Sequence, residues 1–281
     1  MNNDKEKWEE VYSAEELRAV QRIEKENLIV LLDVCKKIDV EPIMYGGTLI
    51  GCVRHKGFVP WDDDIDVALI RKDYDKFIKD APALLPKEYA LQTPYTEMNT
   101  PYFYTKLRRN GTTCVEFCNY KSKISKGVYI DIYPIDNIPD DENTYIKQFK
   151  KVQRLMSLWY IRQSYFLPIR SKGWKRFIWM TVRAILRFIP ITWIQKYIYK
   201  TMTKYNSTKT KRTSVLHYPK IKNWYESLFP LVDGMFEGLN IKMPNDWDGH
   251  LKRRYGDYMS MPPANQRLGH KPYLLDVKNF L

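Results

Sequence analysis

A chain of 281 residues can build one sizeable hydrophobic core or two small domains, and its 44% hydrophobic share is that of a globular protein rather than a disordered one. Lys and Arg number 46 against 33 Asp and Glu, so the formal net charge of +13 draws the protein toward polyanions: nucleic acid, an anionic membrane surface or a phosphate-rich substrate. Four cysteines, at 35, 52, 114 and 118, have neither C-x-x-C spacing nor companion histidines, which argues against a zinc ribbon or disulfide framework and for reduced, buried thiols.

Met1 to Glu16 is charged and has no apolar centre, so no signal peptide is expected and the protein should stay in the cytoplasm. Ser13-Ala14-Glu15-Glu16 reads as a capping box, and Leu17, Val20, Ile23, Leu28, Leu31, Leu32 and Cys35 recur at helical spacing up to Lys37. Pro42 to Tyr45 is a short apolar strand ending at Gly46-Gly47, where the backbone must turn tightly and expose its amides. Helix is next expected over Asp73 to Ala81, then strands over Tyr89 to Gln92, Tyr102 to Arg108 and Thr112 to Cys118, with Asn110-Gly111 as a hairpin turn. Gly127 to Pro134 alternates, placing Val128, Ile130 and Ile132 on one face and Tyr129, Asp131 and Tyr133 on the other.

Between these elements lies the densest chemistry. Gly46-Gly47-Thr48, the cationic stretch Arg54-His55-Lys56 and the run Asp62-Asp63-Asp64-Ile65-Asp66 fall within about twenty residues. If Ile65 to Ile70 is a buried strand, its two-residue period puts Asp64 and Asp66 on one face, a few ångströms apart, with Asp62 in the same phase if the extended chain reaches back that far. Carboxylates that close repel, and a divalent cation relieves the repulsion. Oxygen ligands with no nearby His or Cys point to Mg²⁺ or Mn²⁺ rather than zinc. The run lacks the central Gly and closing Glu of an EF-hand loop, and the apolar I-D-V-A-L-I stretch fits poorly with a solvated acidic turn. Asp63 has the opposite phase and suits a supporting or capping role. A catalytic thiol at Cys52 beside His55 is a weaker alternative, because neighbouring carboxylates raise a thiol's pKa.

From Asp141 to about Tyr205 the period is helical, over Thr144 to Phe166 and over Trp174 to Lys200 with Pro190 as a break. Arg176, Arg183 and Arg187 share one side of the second segment, and Phe177, Ile178, Met180, Ile185, Phe188 and Ile189 fill much of the rest. Charge interrupts it too often for a membrane span. Two readings stand equal: a basic amphipathic helix in the headgroup plane, or a core helix with snorkelling arginines. Lys200 to Arg212 reads as a solvated loop that could also meet anionic lipid or polymer. Pro244-Asn245-Asp246 starts a short helix over Trp247 to Tyr255, ended by Gly256.

A Gly-Gly-(Ser/Thr) turn opening a helix, followed by a strand carrying hydrophobic-Asp-hydrophobic-Asp, resembles the nucleotidyltransferase fold of the DNA polymerase β superfamily. The fuller wording YGGTLIGCVRHKGFVPWDDDIDVALI is similar to the LicD family of phosphocholine transferases, as is the downstream segment RYGDYMSMPPANQRLGH. The resemblance implies an α+β fold, a mixed sheet flanked by helices. It divides into a catalytic core over 1–138, a helical region over 139–215 that meets acceptor or membrane surface, and a segment over 216–281 that folds back to complete the site.

It further implies Mg²⁺-dependent transfer of phosphocholine from CDP-choline to a sugar hydroxyl of a glycan such as teichoic acid or lipopolysaccharide, with CMP leaving. The expected partners are therefore a CDP-alcohol and a lipid-linked glycan acceptor at the inner face of the plasma membrane, with no nucleic acid. Asp62, Asp64 and Asp66 would hold the metal or metals. Asp131 would supply the third carboxylate expected from a neighbouring strand in polymerase-β-like enzymes, with Asp136 as its competitor. Gly46, Gly47 and Thr48 would face the donor diphosphate, with Arg54, Lys106 and Arg108 as its cations. Other CDP-alcohols such as CDP-ribitol or CDP-glycerol remain open as donors, as does nucleotidyl transfer from a nucleoside triphosphate to nucleic acid.

Overall fold

The computed structural model describes residues 11–164, 171–217, 223–267 and 269–280. Ser13 caps helix α1 (Ala14–Lys37) with the expected reciprocal box: its side chain accepts from the Glu16 amide, and the Glu16 carboxylate accepts from the Ser13 amide. The buried face of α1, through Val20, Ile23, Leu28, Leu31 and Cys35, lies against a mixed sheet. Strand β1 (Ile43–Met44) leads into helix α2 (Gly46–Arg54), and β2 (Asp66–Ile70) into α3 (Arg71–Asp80). Next come β3 (Tyr89–Gln92), β4 (Thr105–Arg109), β5 (Thr113–Val115) and the ten-residue β6 (Tyr129–Ile138). Helices α4 (Glu142–Gln163), α5 (Gly173–Leu186) and α6 (Ile191–Met202) form the helical region, and Pro190 separates α5 from α6 as expected. The expected extension of α4 to Phe166 falls outside the described residues.

The C-terminal part contributes β7 (Arg212–Ser214), β8 (Asn223–Trp224), α7 (Tyr225–Leu228), β9 (Val232–Phe236), β10 (Leu239–Met243), α8 (Trp247–Tyr255) and β11 (Leu274–Asp276). The main sheet runs β3-β4-β6-β2-β1-β10-β9, with β7 on β6 and β8 on β7. Strands from all three segments of the chain thus share one sheet. β2 lies parallel to β6 and β1 parallel to β10, the other pairs being antiparallel. The fold is α+β, a mixed sheet flanked by helices.

One local expectation fails. Asn110-Gly111 is a turn with Gly111 at φ +80°, but β4 and β5 do not pair as a hairpin. After the turn the chain leaves the sheet, and β5 pairs with the C-terminal β11. The Thr112 side chain substitutes for the missing ladder, donating to the Arg109 carbonyl and accepting from the Val128 amide. The flanking strands are also shorter than the sequence suggests, because only Thr105–Arg109 and Thr113–Val115 find partners.

Candidate active site

Register builds the centre of the site. Asp66 on β2 stands opposite Asp131 on β6, and Asp131 stands opposite Lys106 on β4, so the three side chains occupy one rung across three adjacent strands. Both aspartates and Lys106 are buried. Lys106 Nζ lies 2.8 Å from Asp131 Oδ1 and 3.7 Å from Glu116, over the faces of Tyr129 at 3.3 Å and Tyr102 at 4.2 Å. Tyr133 donates to the other oxygen of Asp131 at 3.0 Å.

β2 begins at Asp66, and Asp62 to Ile65 approach it as irregular chain. Alternation therefore does not carry back to Asp62, yet the run is still delivered to the rung. Burial and then the charge of Asp66 hold Asp64 well above the usual carboxylate range. Burial and Asp131 push Asp66 up to about 7, burial and Asp63 push Asp62 up to about 6, and burial raises Asp131 despite Lys106. These are desolvated carboxylates in mutual repulsion, the condition that a cation relieves.

Helix α2 aims its N-terminus at the same place. Gly46 has φ +59°, a conformation that favours glycine, and a Cβ there would overlap Asp66 Oδ2. A Cβ at Gly47 would come within 2.9 Å of Asp62 Oδ2. Thr48 Oγ accepts from the Asp66 amide at 2.7 Å, while the first turn of α2 has no side-chain cap. The glycine turn and the acidic run are thus a single packed unit, with helix amides facing the carboxylates.

Above the rung opens a cavity of about 490 Å³, lined by Glu24, Asp64, Glu116 and Asp131, with aromatic faces from Tyr12 and Tyr129. The C-terminal stretch around Gly269 to Pro272 forms part of its wall. Asp63 ties this wall down, accepting from the Tyr12 hydroxyl and from the His270 amide, both at 2.8 Å, and Lys271 pairs with Glu16 at 3.0 Å. Asp63 therefore has a supporting position, and His270 closes a loop through its backbone.

The structure separates the two candidate aspartates of β6. Asp136 is wholly buried in a two-point pair with Arg71, both bonds 2.8 Å, and accepts from Asn206, which leaves it structural. Arg108, expected at a phosphate, is also corrected. It is wholly buried, donating to Gln92 and to the Gly127 carbonyl and lying 3.9 Å from Glu116, because its strand is interior rather than at an edge. Lys106 faces the rung as a counter-charge rather than open solvent. Arg54 donates to the Tyr258 carbonyl at 2.7 Å and to His55, fastening α2 to the C-terminal segment. Burial pushes the Cys52 thiol up to about 12, which removes it as a nucleophile at neutral pH. All four cysteines are free thiols.

Three residues of the site were missed in the sequence. Glu24, on the buried face of α1, is raised far above the usual range by burial and by Asp64, Asp63, Asp62 and Asp131. Glu116 joins the cavity wall beside Lys106. Arg254 on α8 is the guanidinium whose charge lowers Asp66, and it lies over Tyr45 and Tyr255. A Glu amid Val20, Ile23, Asn27 and Leu28 was a legible signal for the first, and Arg254 opens the segment RYGDYMSMPPANQRLGH; Glu116 carried none. As the side chains stand, no three acidic, imidazole or thiol groups among the described residues are gathered as a formed metal site. The all-carboxylate donor set suits Mg²⁺ or Mn²⁺ in kind, and seating an ion requires Asp62, Asp64, Asp66 and Asp131 to turn inward from their present contacts.

Residues 39–171 match the family described as LicD/FKTN/FKRP, nucleotidyltransferase domain. Over 247 residues, 84% of this chain and 89% of the relative, the sequence is 27% identical to lipopolysaccharide cholinephosphotransferase LicD of Haemophilus influenzae. It is also 27% identical to an uncharacterised protein of Rickettsia typhi over 120 residues, 42% of this chain and 36% of that protein. Residues 39–171, which hold the glycine turn packed on the acidic run and the second aspartate delivered by the neighbouring strand, are a LicD-family nucleotidyltransferase domain.

Proposed function

We propose that this protein is a phosphotransferase that moves phosphocholine from CDP-choline to a sugar hydroxyl of a cell-surface glycan, lipopolysaccharide or teichoic acid, and releases CMP. The observation that carries the reading is the Asp66–Asp131 rung packed against the Gly46-Gly47 turn, beside a cavity that Asp64 and Asp131 line. It is joined by the similarity over 84% of the chain to a protein named as a cholinephosphotransferase.

The acceptor oxygen forms a bond to the choline-bearing phosphorus, the bridging P–O bond breaks, and CMP departs with that oxygen. Phosphoryl transfer asks a protein mainly to position reactants and neutralise charge. Asp62, Asp64, Asp66 and Asp131 would hold Mg²⁺ or Mn²⁺, which when bound neutralises the charge of the diphosphate. The N-terminus of α2, packed against Asp62 and Asp66, would add its helix dipole to the binding of a phosphate oxygen. Asp131, which lines the cavity, would take the acceptor hydroxyl's proton. Tyr12 and Phe117 among carboxylates offer the aromatic and anionic surroundings that a trimethylammonium group favours.

Release of CMP from CDP-choline, with Mg²⁺ and a lipid-linked glycan acceptor, tests the reading. CDP-ribitol and CDP-glycerol in parallel name the group transferred. A nucleoside triphosphate consumed with pyrophosphate release, and no CMP from any of the three donors, would replace it.

A further inference from the structure

The charge of this chain is unevenly distributed. Between Glu142 and Glu226 stand 83 residues with nineteen Lys and Arg and no Asp or Glu, so the remaining 198 residues carry 27 basic and 33 acidic side chains. The protein is a mildly acidic body with one strongly cationic region.

Within that region α5 is turned inside out. A helix on a soluble protein buries its apolar stripe and shows its charges. Here Arg183 is the one buried residue of α5, while Trp174 is 70% exposed, Phe177 72%, Ile185 60% and Phe188 88%. Trp174, Phe177 and Ile185 recur at helical spacing along one side of α5, opposite Arg176 and Arg183, and Phe188 follows in the turn after the helix. After Pro190 the stripe continues onto α6 at Trp193, 71% exposed. Contiguous apolar surface of this kind marks an interaction site.

The shape and charge choose the occupant. Among the described residues no single helix is long and apolar enough to cross a membrane; α5 and the helical stretch from Ile191 pass only as a pair bent by 88°. Crossing is unsuitable for the second arm, because Ile194, Ile198 and Met202 of α6 are packed in a core with Phe149, Val152 and Trp159 of α4. Lying in the interface suits both arms. Beside the bend, a groove of about 510 Å³ is lined by Leu155, Leu158, Leu186, Ile189 and Trp193, with Lys196 and Lys200 at its edge. Apolar walls with ammonium groups at the rim match an acyl chain below a phosphate. A second copy of the same cationic region would instead meet it with like charge.

We propose that the elbow of α5 and α6 seats the protein on an anionic phospholipid bilayer, its apolar stripe entering the boundary between headgroups and acyl chains. The proposal stands apart from the transfer reaction, because its test reads binding and not turnover.

The intact protein is floated with vesicles of phosphatidylglycerol and phosphatidylcholine in equal parts, and with pure phosphatidylcholine. Wild type is compared with Phe177→Ser/Phe188→Ser and with Lys175→Gln/Lys196→Gln. All four positions are solvent-facing, so circular dichroism should be unchanged. Binding to the anionic vesicles should exceed that to phosphatidylcholine about tenfold and weaken with salt, and each double substitution should reduce it by about tenfold or more. Bromine-labelled acyl chains should quench wild-type tryptophan fluorescence more than that of Trp174→Phe/Trp193→Phe. Equal binding to both vesicle types, full binding by the Phe177/Phe188 variant, or a soluble dimer that this variant dissociates would overturn the proposal.

Discussion

Gly46→Ala tests whether the glycine turn exists to let backbone approach a carboxylate. Gly46 sits at φ +59°, where an L-residue costs about 1–2 kcal/mol. The added Cβ also overlaps Asp66 Oδ2. Relieving an overlap in a packed interior costs about 1–3 kcal/mol, here by pushing the Asp66 side chain off the rung that it shares with Asp131. The expected loss is therefore about 2–5 kcal/mol in urea unfolding, together with a fall in CMP release of at least about 100-fold, since misplacing one group by an ångström can cost that much. Gly47→Ala is the control. Gly47 has no left-handed φ, its Cβ meets Asp62 Oδ2 at 2.9 Å, and alanine is worth up to about 1 kcal/mol over glycine in a helix, so stability should stay within about 1 kcal/mol of wild type. If Gly46→Ala proved as stable and active as wild type while Gly47→Ala did not, the packing of α2 on the acidic run would be refuted.

Protonation of the cluster gives a pH test. Asp66 is held at about 7 when folded against an ordinary 3.8, so between those values the folded protein binds more protons than the unfolded one, and metal-free stability should fall as pH rises through that window. In EDTA the melting temperature should therefore drop between pH 5 and 7 in wild type, and drop less in Asp66→Asn. Mg²⁺ or Mn²⁺ should raise it more at pH 8 than at pH 6, because ligand carboxylates must be deprotonated; a shift that is larger at pH 6 would count against a carboxylate metal site. The two buried aspartates of β6 should behave oppositely. Asp136→Ala removes both hydrogen bonds of buried Arg71, leaving it with Asp75 at 3.5 Å, and should cost about 3–5 kcal/mol in urea, whereas Asp131→Asn, which leaves Lys106 with Glu116 and its tyrosines, should abolish CMP release with a smaller stability loss. Arg108→Lys should lower the melting temperature while leaving the donor KM of the remaining folded protein unchanged, since its guanidinium holds Gln92 and Gly127 rather than ligand.

Much of the site was legible because local chemistry and strand period speak directly. Gly46-Gly47 could only be a tight approach, an Asp in a buried alternating strand had to face something, and Ser13 with Glu16 named the start of α1. What escaped depends on partners distant in sequence. β4 and β5 looked like a hairpin because the turn chemistry was right, but pairing was decided by β11 some 160 residues later. Arg108 looked like a phosphate ligand because it shares a strand face with Lys106, and only the neighbours β3 and β6 bury it. The inverted α5 shows the limit of periodicity, which found an amphipathic helix without telling which face the protein would keep. Arg254 entered through α8, whose own spacing says nothing of Asp66.

The central claim is that the Asp-rich run and Asp131 form one centre for CDP-alcohol chemistry. It is tested most directly by CMP release from CDP-choline, CDP-ribitol and CDP-glycerol with Mg²⁺ and a lipid-linked glycan acceptor, comparing wild type with Asp64→Asn and Asp131→Asn. The account predicts metal-dependent release of CMP from one of these donors by wild type and from none by either folded variant. Undiminished release by both variants, or no release from any donor by folded wild type with a competent acceptor, would contradict it.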